Sequence, residues 1–255
     1  MRRMLAVGAA VTVVAGSGAA FALIGDDGDA RAQGGDVRLS TALVTKGDLV
    51  DTEKVDGTLT FEGERDVWVG ASGVVTWAPS QGAVIERGDP LVRVQNRPVT
   101  LMYGGTPMYR TIGPGVSDGA DVKALESNLK ALGYGDGLTV DGEFTVATEA
   151  AIKEWQDDRG LEETGRVDAK QVVFLPGAVR VKTVKAPEGK RVASGQPVMT
   201  VAGTRRIVHI NLDADKQDMA VKGARVSVEL PGGTVVAGRI ASVGTVAEET
   251  GTEQN

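Results

Sequence analysis

The chain contains no cysteine. Disulfides, thiolate metal sites and a lipid-modified N-terminal cysteine are thereby excluded. There is one histidine, His209. A multi-histidine zinc site cannot be built within one chain, and a histidine-dependent catalytic triad has a single residue to draw on. Aromatic residues make up only 4% of the sequence, so its cores must be modest and largely aliphatic. Acidic residues outnumber basic ones, 34 to 28, for a formal net charge of −6, and no basic stripe is present. That balance argues against a nucleic-acid partner. What is abundant is glycine, 35 of 255 residues. Such a chain suits a turn-rich β protein of two or three small domains.

The first long apolar run lies at the N-terminus. Arg2 and Arg3 precede an uncharged stretch from Met4 to Ile24, and charge resumes at Asp26, Asp27 and Asp29. As a helix this stretch would extend about 31 Å, one hydrocarbon thickness. The flanking charges place the N-terminus in the cytoplasm and the remainder outside. Residues 1–25 are therefore expected to form a transmembrane signal anchor, with membrane contact through residues 4–24. A cleaved signal peptide using Ala20-Phe21-Ala22 is the alternative, and would make the protein secreted. Residues 26–37, mostly Gly, Asp, Ala and Gln, read as a linker. Residues 38–66 show short β-like runs at Thr41–Thr45, Leu49–Thr52 and Thr58–Phe61, with turns expected at Lys46-Gly47-Asp48 and Asp56-Gly57.

The clearest helical pattern lies within residues 114–176. Val122, Leu125, Leu129 and Leu132 recur at spacings of three and four, which lays one apolar stripe on a helix. Gly133 offers a positive-φ stop. A loop with Tyr134, Gly137, Asp141 and Gly142 follows. A second helical run carries Ala151, Ile152 and Trp155 and stops at Gly160, and a short third run is expected near Asp168. Asp121-Val122, Leu125, Leu129, Leu132-Gly133-Tyr134, Asp141-Gly142, Phe144, Thr148, Ala151-Ile152, Trp155-Gln156, Gly160-Leu161 and Gly165 together resemble the peptidoglycan-binding domain of the three-helix type. Glu126 departs from that pattern, where Gln is common, and so does Thr145, where Gly usually follows the Phe. Thr145 can serve as the N-cap of the second helix.

A repeated motif flanks this helical stretch. The segment from Val67 to Val94 (residues 67–113 with its junction) has strands at Val67–Val69 and Gly73–Trp77, then Gly82, Ile85, Gly88, Pro90, Leu91 and Val94. Residues 177–204 repeat the order as Gly189, Val192, Gly195, Pro197, Val198 and Val201. The interval from Gly82 to Gly88 equals that from Gly189 to Gly195. Such a repeat suggests two halves of one β unit, neither with enough apolar surface to stand alone. The two halves resemble the biotinyl/lipoyl-like domain of periplasmic adaptors, also known as membrane fusion proteins of the haemolysin-D type. In that resemblance the helical segment takes the place of the inserted hairpin. The first half holds no Lys, so a swinging-arm carrier is rejected. Tyr103, Met108 and Tyr109 either form a ligand surface or cover the junction between the domains. Residues 205–247, with strands at Ile207–Leu212, Val226–Leu230, Thr234–Val236 and Arg239–Val243 and a turn at Pro231-Gly232-Gly233, resemble a partial β-barrel. His209 there is assigned a structural or solvent-facing role. Residues 248–255 read as a frayed tail.

The expected fold class is thus multidomain and mainly β: a split lipoyl-like unit plus a partial barrel, with an inserted all-α three-helix domain and an N-terminal transmembrane helix. Catalysis is not expected. Ser117, Ser127 and Ser194 lack a His partner in any recognisable motif. Asp157 and Asp158 are adjacent on a helix and do not face each other. No Gly-rich segment forms a phosphate loop between strand and helix, and no metal or cofactor site is expected. The resemblances imply an extracytoplasmic adaptor subunit of an export or efflux system. Its partners would be an inner-membrane transporter (the ABC class is one candidate) and peptidoglycan, with self-association left open. The alternative is a wall-binding protein that tethers membrane to peptidoglycan without a transport role. Candidate ligand contacts in the helical segment are Tyr134, Asp141, Phe144, Gln156 and Arg159. Against them stand structural roles: Phe144 in the core, and Asp141 holding its own turn.

Overall fold

The structure, a computed structural model, describes residues 8–15 and 51–244. The expected linker, the strand at Thr41–Thr45 and the C-terminal tail lie outside the described residues. In chain order the strands are β1 (Gly8–Ala15), β2 (Asp51–Phe61), β3 (Arg65–Val69), β4 (Gly73–Trp77), β5 (Val84–Ile85), β6 (Pro90–Val94) and β7 (Arg97–Tyr103). The helices α1 (Ala120–Ala131) and α2 (Val146–Asp158) come next. Then follow β8 (Val172–Leu175), β9 (Val179–Val184), β10 (Arg191–Val192), β11 (Gln196–Gly203), β12 (Arg206–His209), β13 (Arg225–Glu229) and β14 (Val235–Arg239). The chain divides into two units, one drawn from its two ends and one spanning Phe61–Ile207.

The unit from the chain ends is a five-stranded sheet in the order β12-β2-β1-β13-β14. Here two expectations are corrected. Gly8–Ala15, inside the run expected to cross the membrane as a helix, is a strand paired antiparallel with β2 and β13. Val11, Thr12, Val13 and Val14 are consecutive β-branched residues, whose restricted χ1 disfavours helix and suits a pleated surface. No helix among the described residues is long and apolar enough to cross a membrane. Asp56-Gly57 is not a turn either: β2 runs straight through it. A Cβ on Gly57 would lie 2.5 Å from Val208 Cγ1, so this glycine admits a neighbouring side chain. The turn expected at Pro231-Gly232-Gly233 is present, with φ of +100° and +82° at the two glycines, and it joins β13 to β14. Between β12 and β13, Ala214–Met219 is a 3₁₀ helix.

The second unit contains two sheets, in the orders β10-β4-β6-β7-β8 and β3-β11-β9-β5. They enclose one aliphatic core, to which Ile85, Leu91 and Val94 come from the first Gly/Pro segment and Val192, Val198 and Val201 from the second. The repeat is visible in the backbone: φ is +87° at Gly82 and +86° at Gly189, and +86° at Gly88 and +76° at Gly195. The halves also exchange strands. Short β5 of the first half lies in the sheet that holds β11, whereas short β10 of the second half pairs with β4 in the sheet that holds β6. Each half therefore lacks a closed interior without the other.

The hairpin from β6 to β7 turns at Gln95 and Asn96, both with positive φ (51° and 62°), as a type I′ turn requires. From β7 the chain leaves the sheet, forms α1 and α2, and returns as β8 parallel to β7. Parallel neighbours need such a crossover. The pair is buried on both faces. Val99, Leu101 and Leu175 point into the sheet-enclosed core. Met102, Val172 and Phe174 point into a second core with Val122, Leu125, Leu129, Ile152 and Trp155 of the helices. The helical segment thus packs on the outer face of a β-sheet.

This arrangement corrects the expected three-helix domain, since two helices are present. The chain does start a turn at Asp168: its carboxylate accepts the Lys170 N–H at 2.8 Å, and its carbonyl accepts the N–H of Gln171 and Val172 at 3.0 and 3.1 Å. The turn does not propagate, because Val172, Val173 and Phe174 favour a strand and find β7 as a partner.

Candidate functional site

Both helices are bounded by residues legible in the sequence. α1 ends in a Schellman motif: Gly133 has φ +92°, its N–H bonds Lys130 O at 3.1 Å, and Tyr134 N–H bonds Leu129 O at 2.9 Å. α2 begins with a capping box in which Thr145 Oγ1 accepts the Thr148 N–H and Thr148 Oγ1 accepts the Thr145 N–H. Thr145 is therefore the cap its position suggested.

The loop between the helices is held from beneath by Glu126. This side chain is fully buried. Its carboxylate accepts the Gly142 N–H at 3.0 Å and the Thr148 hydroxyl at 3.0 Å. Burial, reinforced by the nearby Asp141 charge, pushes its pKa up against the opposing effect of the two hydrogen bonds. Lys130 donates to Leu138 O at 3.2 Å and pins the middle of the loop. Asp136, Asp141 and Glu143 of this loop are each exposed.

The N-terminal end of the segment is closed by an ion pair. Asp121, 4% exposed, receives Arg110 Nε at 2.6 Å and Nη2 at 2.8 Å. The guanidinium also donates to Ser117 Oγ at 2.7 Å and Ser117 O at 2.8 Å. Arg110 beside it holds the Asp121 carboxyl below the ordinary carboxylate range.

The five candidate contacts fall into three places. Asp141 is exposed, and its Oδ1 accepts the Glu143 N–H at 3.0 Å. Phe144 is half-buried against the helical core, so these two share the α1–α2 loop. Tyr134 and Arg159 meet at the other end of the helices. The Tyr134 hydroxyl donates to Asp158 Oδ2 at 3.0 Å, and its pKa is raised, first by burial and then by that hydrogen bond. Arg159 donates to the backbone carbonyl of Gly88 in the β layer. Gln156 stands alone and fully buried. Its amide bonds Arg166 O at 2.8 Å, Thr164 Oγ1 at 3.1 Å and the Gly165 N–H at 3.0 Å, closing the loop after α2. Both ends of that amide are thus engaged inside the protein. Of Tyr103, Met108 and Tyr109, only Tyr109 is largely exposed, at 68%.

Sequence reasoning passed over Arg110. Its partner lies eleven residues on, and nothing in the local pattern marks the pair. Glu126 was noticed only as a departure, although its position on the buried stripe of α1 was the available signal.

Residues 118–175 match the family described as "Putative peptidoglycan binding domain". The match covers less than a quarter of the chain and ends at Leu175, the last residue of β8. It therefore takes in the returning strand as well as both helices. No match to an adaptor or membrane fusion family is found. No curated protein and no solved structure matches the chain.

Proposed function

We propose that this protein binds peptidoglycan through residues 118–175, acts without catalysis, and works outside the cytoplasm where the wall is found. The family match over the helical segment carries this reading. The α1–α2 loop is the contact surface that the geometry favours. Asp136, Asp141 and Glu143 are exposed there, while Glu126 and Lys130 hold the backbone beneath them. Exposed carboxylates on a hydrogen-bonded loop suit sugar hydroxyls and the free amines of stem peptides, and repel acidic polymers.

Asp141→Asn is the discriminating substitution. It keeps an oxygen to accept the Glu143 N–H and removes only the charge. In co-sedimentation with purified sacculi, the full chain pellets saturably, and the variant binds about tenfold more weakly, the effect of losing one hydrogen bond to a charged group. Equal retention of the two proteins removes the loop from the contact surface. A wild-type chain that stays in the supernatant removes the function.

A second reading, an adaptor beside an export transporter, is favoured by one observation. The two Gly/Pro segments share a single interior, with the helical segment between them in sequence. Co-purification with a membrane transporter tests it.

A further inference from the structure

The chain has three tryptophans. Trp155 is fully buried in the helical core, whereas Trp68 and Trp77 on the β sheets are 54% and 38% exposed. Trp77 borders a groove of about 350 Å³ in the β unit, outside the family match. Pro79, Ser80, Val84, Asp89 and Pro90 line it with Trp77. Val84 is itself 41% exposed, so an aromatic face and an aliphatic wall both meet solvent there.

The polar part of the groove is fixed in place. Asp89 Oδ2 accepts the Glu86 N–H at 2.9 Å, which orients the carboxylate and leaves Oδ1 to accept from a ligand. The turn beneath it is tied to β7 twice: Gly88 N–H to Leu101 O at 2.8 Å, and Leu101 N–H to Asp89 O at 2.9 Å. The lining holds a carboxylate and no Lys or Arg. An anionic ligand is therefore disfavoured. A ligand with an apolar face and a rim of hydroxyl donors fits both halves of the lining. A neutral sugar ring has that form: its C–H face lies on an aromatic ring, whose surface is electron-rich, while its hydroxyls reach Asp89 and Ser80.

We propose that this groove is a saccharide subsite, in which a neutral N-acetylated sugar ring stacks on Trp77 and donates to Asp89. Its assignment to the wall glycan rests on the function proposed above. The position supports that assignment. Asp89 follows Gly88, whose carbonyl accepts the Arg159 guanidinium from α2, so the groove lies beside the peptidoglycan-binding-type segment within the same unit.

The test is a titration of the full chain with tri-N-acetylchitotriose, following the three indole N–H resonances by NMR. The Trp77 signal shifts saturably, while those of Trp68 and Trp155 do not. Trp77→Ala and Val84→Glu each weaken binding about tenfold or more. Val84→Glu fills the groove at an exposed position, so it reports on binding even if the loss of Trp77 disturbs the fold. Failure of the Trp77 signal to shift, unchanged affinity in both variants, or a shift that follows protein concentration instead of saccharide overturns the subsite. If the signal does not shift but the chain still pellets with sacculi, the groove is rejected and wall binding stands. A shift without pelleting leaves a saccharide site on a protein that does not bind the wall.

Discussion

Replacing Arg110 with Ala strands a buried carboxylate. Asp121 has a side chain only 3% exposed, and Arg110 beside it is 23% exposed. The substitution removes both charge-assisted bonds to Asp121 and both bonds to Ser117. Removing one partner of a buried pair costs about 3–5 kcal/mol. Two features place this case near the lower figure. Arg110 is partly solvated, and Asp121 sits in the first turn of α1, where the helix dipole favours negative charge. The expected loss is therefore about 3 kcal/mol at neutral pH.

The pH dependence has a definite sign. The folded pKa of Asp121 lies below its unfolded value, so the pair stabilises above about pH 4 and that stability is lost as pH falls through the folded pKa. Arg110→Ala removes this depression, and the gap between variant and wild type narrows on acidification. Denaturant unfolding followed by far-ultraviolet circular dichroism measures both effects. A loss under about 1 kcal/mol at neutral pH, or a gap that stays constant into acid, refutes the reasoning.

Glu126→Gln should act in the opposite sense. The folded pKa of Glu126 is raised, so wild-type stability falls as pH rises from the ordinary carboxylate value through the folded one. The variant gains on the order of 1 kcal/mol at neutral pH and nothing in acid, measured by the same unfolding series. Trp155→Ala empties the centre of the helical core and costs about 3–5 kcal/mol, which denaturant titration will show. Gly88→Ala meets both positive φ and a Cβ position 2.7 Å from Leu132 Cδ2. It costs about 1–3 kcal/mol and loosens the contact of α1 with the β layer, seen as faster hydrogen exchange in β7.

The two helices were legible because their signals are local. Leu125, Leu129, Ile152 and Trp155 keep helical spacing, Gly133 caps one helix and Thr145 the other. The repeated Gly and Pro positions likewise led to the shared core, since turn glycines mark the same backbone shape in both halves. What was missed depends on partners distant in sequence. Val172–Leu175 became a strand because β7 waits some seventy residues upstream. Gly57 carries a turn signature, yet its lack of a Cβ serves Val208. The apolar run at the N-terminus was read by length and charge, which do not distinguish a helix from a strand, while its consecutive β-branched residues do. The Asp141 side chain that holds its own turn was legible, because its partner, the Glu143 N–H, is two residues away. The internal engagement of Gln156 could not be seen, because its partners Thr164 and Arg166 are brought back only by the loop after α2.

Wall binding can be tested most directly by a co-sedimentation isotherm of the full chain on purified sacculi, repeated after the sacculi are digested with muramidase. The account predicts saturable pelleting that disappears on digestion and is competed by the released fragments. Retention no greater than in tubes without sacculi, or pelleting unchanged by digestion, contradicts it.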